Sequence, residues 1–234
     1  MDLIMSDDMT YQEIARIKSN IQSFVEKIDE LSQEFDFDFQ ESDRSFFAFI
    51  AKHIVFFKYL SEGDSSNFSY KVLISDFYYM ILAIVKGEVR YMYVNERPII
   101  ENYLRSIMDI SVQDNHVTDK VFQELRQKQF HCNFDDTQYS LIRSEYRTSC
   151  GYIHGSNILN DNLALVLDEC INKRFTIAER KKYYIRIQAV LKSFNRLLIS
   201  ENALFVSGCF HRKKSVLSYL IGKEPLDLLF QIVN

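Results

Sequence analysis

The chain has 234 residues, enough for one large domain with a sizeable core and no added staple. Apolar residues make up 47% and charged residues 26%, which excludes general disorder and the collagen-like and low-complexity classes; 6 Gly and 2 Pro are too few for the turns of a sandwich or barrel of short strands. An all-α protein is expected, and a formal net charge of −4 gives no global sign of a nucleic-acid binder.

The first eight residues are acidic and lack the basic and long apolar regions of a secretory signal. Thr10 and Glu13 have capping-box spacing, and Ile14, Ile17, Ile21, Phe24, Ile28 and Leu31 then recur at steps of three and four, which predicts a long amphipathic helix. Its stripe lasts about two and a half heptads, short for a coiled coil, so it reads as core packing or a dimer seam. Phe35, Phe37 and Phe39 alternate with Asp36 and Asp38, which predicts an extended connector with three rings tucked inward; Asp43 is placed to cap the next helix. Helices follow over 44–61, ending near Gly63, and over 67–86, ending at Gly87, both apolar enough to be buried on most sides. The stretches 46–60 and 72–85 are too short for a bilayer and carry Lys52, His53, Lys58 or Asp76, so a soluble, cytoplasmic protein without a membrane partner is expected.

A helix over about 88–110 contains Pro98, which must kink it or open a new helix. Helices over 118–129 and 135–154 come next, the second stopped by Gly155, and 160–173 reads as helix or buried strand. Thr176 and Glu179 form a second capping box, starting a long helix through Leu198 and beyond. Gly222 and Pro225 punctuate a short C-terminal helix. No repeat or long linker divides the chain, so 1–234 reads as one domain: an N-terminal helix and connector to about 44, a helical core to about 207, and a C-terminal extension over 208–234.

Charge is uneven. Residues 1–45 carry 12 Asp/Glu against 4 Lys/Arg, whereas residues 172–214 carry 11 Lys/Arg against Glu179 and Glu201. If Lys173, Arg174, Arg180, Lys181, Lys182, Arg186, Lys192 and Arg196 share a face, they form an RNA-docking surface that touches phosphates without reading bases; the plainer account is a solvated helix. Cys132, Cys150, Cys170 and Cys209 form no C-x-x-C pair and read as reduced core thiols. His53 lies among apolar neighbours as a core residue, while His116, His131 and His211 lack metal-ligand spacing, so neither a metal nor a cofactor is expected. Phosphate-loop, dinucleotide, zinc-protease and serine-hydrolase motifs do not occur.

The spacing that points to chemistry is Arg147-x6-His154. Seven helical steps bring the two side chains within about 20° of one face, about 10.5 Å apart along the axis. Helical side chains lean toward the N-terminus, so His154 tilts back toward Arg147, and Gly151 between them leaves room for a strand of RNA or a partner's helix. Arg147 can grip a phosphate with its fork of donors, and His154, at a helix C-terminus that favours imidazolium, can exchange protons with a ribose hydroxyl. In a chain with 13 Arg and 5 His such spacings arise about once by chance; Arg126 and His131 are a second instance, turned about 140° apart on a continuous helix.

An all-helical bundle with Arg-x6-His near the end of a late helix resembles the HEPN superfamily. The surrounding Tyr146, Ser149, Tyr152, Ile153, Gly155 and Ser156 are similar to a group of bacterial HEPN-like proteins. So is the segment Arg97-Pro98-Ile99-Ile100-Glu101-Asn102-Tyr103-Leu104-Arg105, which matches their earlier Arg-x-x-x-Glu helix. The resemblance covers roughly 46–205. It implies a HEPN-like bundle with an extra N-terminal helix and a short C-terminal one. It also implies metal-independent RNA cleavage through the 2′-hydroxyl, with Arg147 and His154 in a composite site across a homodimer. The systems it points to are toxin–antitoxin or anti-phage defence, with an antitoxin or other defence protein as partner. Supporting roles would fall to Arg97, Glu101, Arg105, Arg143, Thr148 and Ser149, with Glu101 orienting Arg147 or Arg143; a surface ion-pair ladder of Arg97, Glu101 and Arg105 is the alternative. Many active members carry Asn, Asp or His directly after the arginine, where this chain has Thr148. The other reading is a catalytically silent HEPN-like module that docks protein or RNA.

Overall fold

The computed structural model describes residues 2–108, 110, 117–154, 164, 167 and 172–233, with side chains from Tyr11 onward. Among these the protein is all-α: α1 (Asp2–Glu34), α2 (Glu41–Gly63), α3 (Phe68–Val85), α4 (Val89–Met108), α5 (Asp119–Gln127), α6 (Asp136–His154), α7 (Ile177–Cys209), α8 (Lys214–Ile221) and α9 (Lys223–Val233). Most of the 160–173 segment, Gly155, Ser156, His116 and Cys170 lie outside the described residues.

Helix starts follow local hydrogen bonding. At Thr176 the capping box forms as expected: its Oγ1 accepts from Glu179 N, and Glu179 Oε2 accepts from Thr176 N at 2.8 Å. Thr10 begins nothing, because α1 already runs from Asp2. Asp43 is not the cap of α2 but its third residue; Gln40 is the N-cap, and Asp43 Oδ2 accepts from its backbone N–H at 2.7 Å. Asn67 caps α3 by accepting from Ser69 N, and Gly87, at φ +71°, turns the chain from α3 into α4. Helix α4 neither stops nor restarts at Pro98. Its buried Met92, Tyr93, Ile99, Ile100, Tyr103 and Leu104 flank the proline on both sides, and their packing outweighs one missing N–H. The C-terminal extension is two helices, divided at Gly222 (φ +98°).

The core forms where α3 lies along α4, α2 packs on α3 and α7, and α6 closes over α4 and α7. The α1 stripe is consumed internally: Ile17, Ile21, Val25 and Ile28 are buried, and α1 meets α2, α3 and α8. Phe35, Phe37 and Phe39 of the connector are half-buried against the core. Helix α3 is, among the described residues, the one helix long and apolar enough to cross a membrane by composition (mean hydropathy 1.4), yet half of it is buried inside the fold. Cys132, Cys150 and Cys209 are free thiols.

Three helices are joined in the core by polar groups. His53 of α2 is buried, and its Nδ1 lies 2.8 Å from Phe49 O, which can only accept; the proton therefore sits on Nδ1 and Nε2 accepts from Asn195 Nδ2 at 2.9 Å. Asn195 Oδ1, on α7, accepts from the Tyr103 hydroxyl of α4 at 3.1 Å. Burial pulls His53 down to about 4, which keeps it neutral at pH 7.

Candidate functional site

Helix α6 starts where Asp135 Oδ1 accepts from Thr137 N and Gln138 N, both at 2.9 Å. Its Ile142, Glu145, Tyr146 and Ser149 point into the core. The opposite stripe, Ser140, Arg143, Ser144, Arg147, Thr148 and Gly151, together with Tyr139, Tyr152 and Arg126 from α5, lines a groove of about 620 Å³. No acid lines it among the described residues, although two of its three guanidiniums, those of Arg143 and Arg126, pair with Asp119 and Asp136 just outside the lining.

Arg147 is exposed and makes no ion pair among the described residues. His154, the last residue of α6, is exposed on the continuation of that stripe. Beside it, Arg90 of α4 donates to Ile153 O at 3.3 Å, placing a guanidinium at the negative end of the helix. Arg143 stacks its guanidinium over Phe122 at 4.4 Å and pairs with Asp119. Arg126 pairs with Asp136 at 2.9 Å and lies over the Tyr139 ring. Helix α5 ends before His131, which lies with Cys132 and Arg196 in a different depression, so Arg126 and His131 do not meet at one site.

The supporting residues divide. Arg97 Nε and Glu101 Oε1 pair at 2.8 Å, largely buried, so this is not a surface ladder. Glu101 holds neither Arg147 nor Arg143: its second neighbour is the Tyr146 hydroxyl at 3.0 Å, which also lies 3.0 Å from Val117 O. Glu101 therefore acts on the α6 backbone one residue before Arg147, through a buried phenol and an ion pair that lie too deep for the groove. Arg105 is on the same helix, half-buried. Ser149 is buried and donates to Tyr146 O, outside the groove, and Thr148 donates back to Ser144 O, one turn earlier.

The basic segment does not form one free face. Arg180 is 6% exposed, lies over the Phe37 ring, donates to Asp38 O at 2.7 Å and sits 3.5 Å from Asp43, so it is structural rather than RNA-binding. Arg186 pairs with the buried Glu145 at 2.8 Å, and Arg174 donates to Phe35 O while packing over Gly87. Arg196 is taken by Glu224 and Asn133 O. Lys181 and Lys182 stay exposed, as does Lys173, whose ammonium lies over the Tyr152 ring. Among the described residues two ion pairs join the acidic N-terminal stretch to the basic C-terminal one, Arg180–Asp43 at 3.5 Å and Lys213–Glu13 at 2.9 Å.

Behind the groove, Glu96 of α4 is 1% exposed, and among the described residues its carboxylate oxygens make no well-formed hydrogen bond, the Tyr183 hydroxyl being their nearby donor. Burial, then the nearby Glu145 charge, holds its pKa well above the ordinary carboxylate range, against the opposing pull of Tyr183 and Arg186. Between the unfolded and folded values the folded protein binds the extra proton. Stability from this group is therefore full below about pH 4.5 and declines as pH rises toward the folded value. Asp76, pushed up to about 7 by burial and by Glu101, acts with the same sign. Urea unfolding of Glu96→Gln is expected to show a flatter decline above pH 5 than the natural protein; an equal decline would show that Glu96 is not responsible.

No protein-family model, curated protein or solved structure matches the chain. Among the described residues, no three His, Cys, Asp or Glu side chains converge as metal ligands.

Proposed function

We propose that the chain is a metal-independent endoribonuclease of HEPN type, acting in the cytoplasm as a toxin or anti-phage effector. The observation that carries this reading is the open groove, with no acid in its lining, in which Arg147 has its guanidinium unspent, with His154 exposed two turns on along the same helix, beyond the groove lining. Arg147 holds the scissile phosphate in a bidentate grip. His154 takes the proton of the ribose 2′-hydroxyl as that oxygen attacks phosphorus; the bond to the 5′-oxygen breaks, leaving a 2′,3′-cyclic phosphate and a 5′-hydroxyl end. The leaving oxygen needs its own proton donor, a role suited to the imidazolium of a second copy in a homodimer. Incubating the natural protein and His154→Ala with RNA in EDTA tests the reading: cleavage by the former and its loss in the latter are expected, and equal cleavage by both would reject it.

A catalytically silent RNA- or protein-binding module is the second reading, and Thr148 favours it. Its hydroxyl proton is donated back to Ser144 O, so the residue after the arginine has no free proton donor. RNA that is retained but uncut in the same assay would select it.

A further inference from the structure

Helices α5 and α6 are clasped reciprocally. Asp119 at the start of α5 takes Arg143 from α6, and Asp136 at the start of α6 takes Arg126 from the last turn of α5. Both acids are largely exposed and stand outside the groove lining, whereas both arginines are part of it. Arg126–Asp136 is an exposed pair of the kind that is cheap to open, whereas in the other pair Asp119 is 79% exposed and the Arg143 side chain 14%. Each acid also sits in a first helical turn, where the helix dipole stabilises it with or without its partner. Arg143 and Arg147 are one turn apart on α6, about 6 Å along the axis, a spacing suited to neighbouring phosphates of one strand.

We infer that the groove binds consecutive phosphates of a single RNA strand, Arg147 taking one and Arg143 and Arg126 its neighbours, and that the strand opens the α5 clasp by displacing Asp119 and Asp136. The inference rests on the proposed reading in taking RNA as the ligand and Arg147 as a phosphate holder. Two features favour a single strand. The groove has the volume of a small-ligand pocket, too small to seat a double helix. Tyr139 in its wall also offers ring surface to an unstacked base once Arg126, which lies over that ring, turns to a phosphate.

The test uses a fluorescent 2′-O-methyl oligoribonucleotide, which binds but lacks the hydroxyl needed for cleavage, and reads anisotropy against KCl concentration. Three phosphate contacts predict a log–log slope of about −2, and Arg126→Ala or Arg147→Ala should each shrink it by about 0.7. Arg126 is exposed enough for its removal to spare the core. Asp119→Asn and Asp136→Asn should each tighten binding at fixed salt by about two- to fivefold. An unchanged slope in Arg126→Ala, no tightening in the Asp variants, or equal binding of the duplex form would overturn the inference. Because the probe cannot be cut, these outcomes stand apart from cleavage: binding as predicted without His154-dependent cleavage would sink only the nuclease reading, and the reverse pattern only this one.

Discussion

Arg147→Ala is expected to lower the rate of RNA cleavage by about 10²–10³-fold, the usual loss when one fixed donor to a developing negative charge is removed. The melting temperature should barely move, because Arg147 is exposed and makes no ion pair among the described residues. Arg147→Lys should recover little of the rate. An ammonium on a flexible stem carries the charge but cannot present two parallel donors to a phosphate. The comparison separates a phosphate grip from a general attraction of RNA to the groove, since attraction alone would be restored by lysine. Steady-state rates and thermal unfolding of the three proteins check it; a lysine variant as fast as the natural protein, or an alanine variant that unfolds early, would refute the assignment.

Asp43→Ala is expected to cost about 3–5 kcal/mol of stability, the range for removing one member of a buried charged pair. Asp43 is fully buried and serves three groups: the Gln40 N–H at the start of α2, the Tyr184 hydroxyl at 2.6 Å, and Arg180 at 3.5 Å. Alanine leaves the Arg180 charge with Asp38 O as its remaining hydrogen-bond partner and strands the Tyr184 hydroxyl, whose pKa burial and the Asp43 charge already push up. Asp43→Asn retains an acceptor for one of these donors and should lose less. Urea titration of both variants gives the comparison, and a loss under about 1 kcal/mol for alanine would show that Asp43 is not the anchor.

Helix order, the Thr176 start and the Arg147 stripe were legible because each depends on spacing along one helix. Partnerships between helices were not. Arg180 and Arg186 read as free cations in a basic run, yet Asp43 and Glu145, which pair with them, lie far away in sequence. Arg126 looked like half of a chance motif and turned out to line the groove, because α5 folds back beside α6. Arg90 gave no signal at all; only the fold brings it to Ile153. Glu101 pairs with Arg97, as the i,i+4 ladder had it, and not with Arg147 or Arg143; its other contact, to a tyrosine one position before the arginine, receives no mark from periodicity.

The run from Phe49 O through His53 and Asn195 to Tyr103 also acts as a key in a lock. Apolar surfaces tolerate slippage, but sliding α7 by one turn, about 5.4 Å, would strand an imidazole nitrogen and a phenol in a dry interior. One registry of α2, α4 and α7 satisfies all three side chains. Since α4 carries Arg90 and α7 the Arg186 that grips α6, the same alignment fixes the height at which the cationic cleft is assembled.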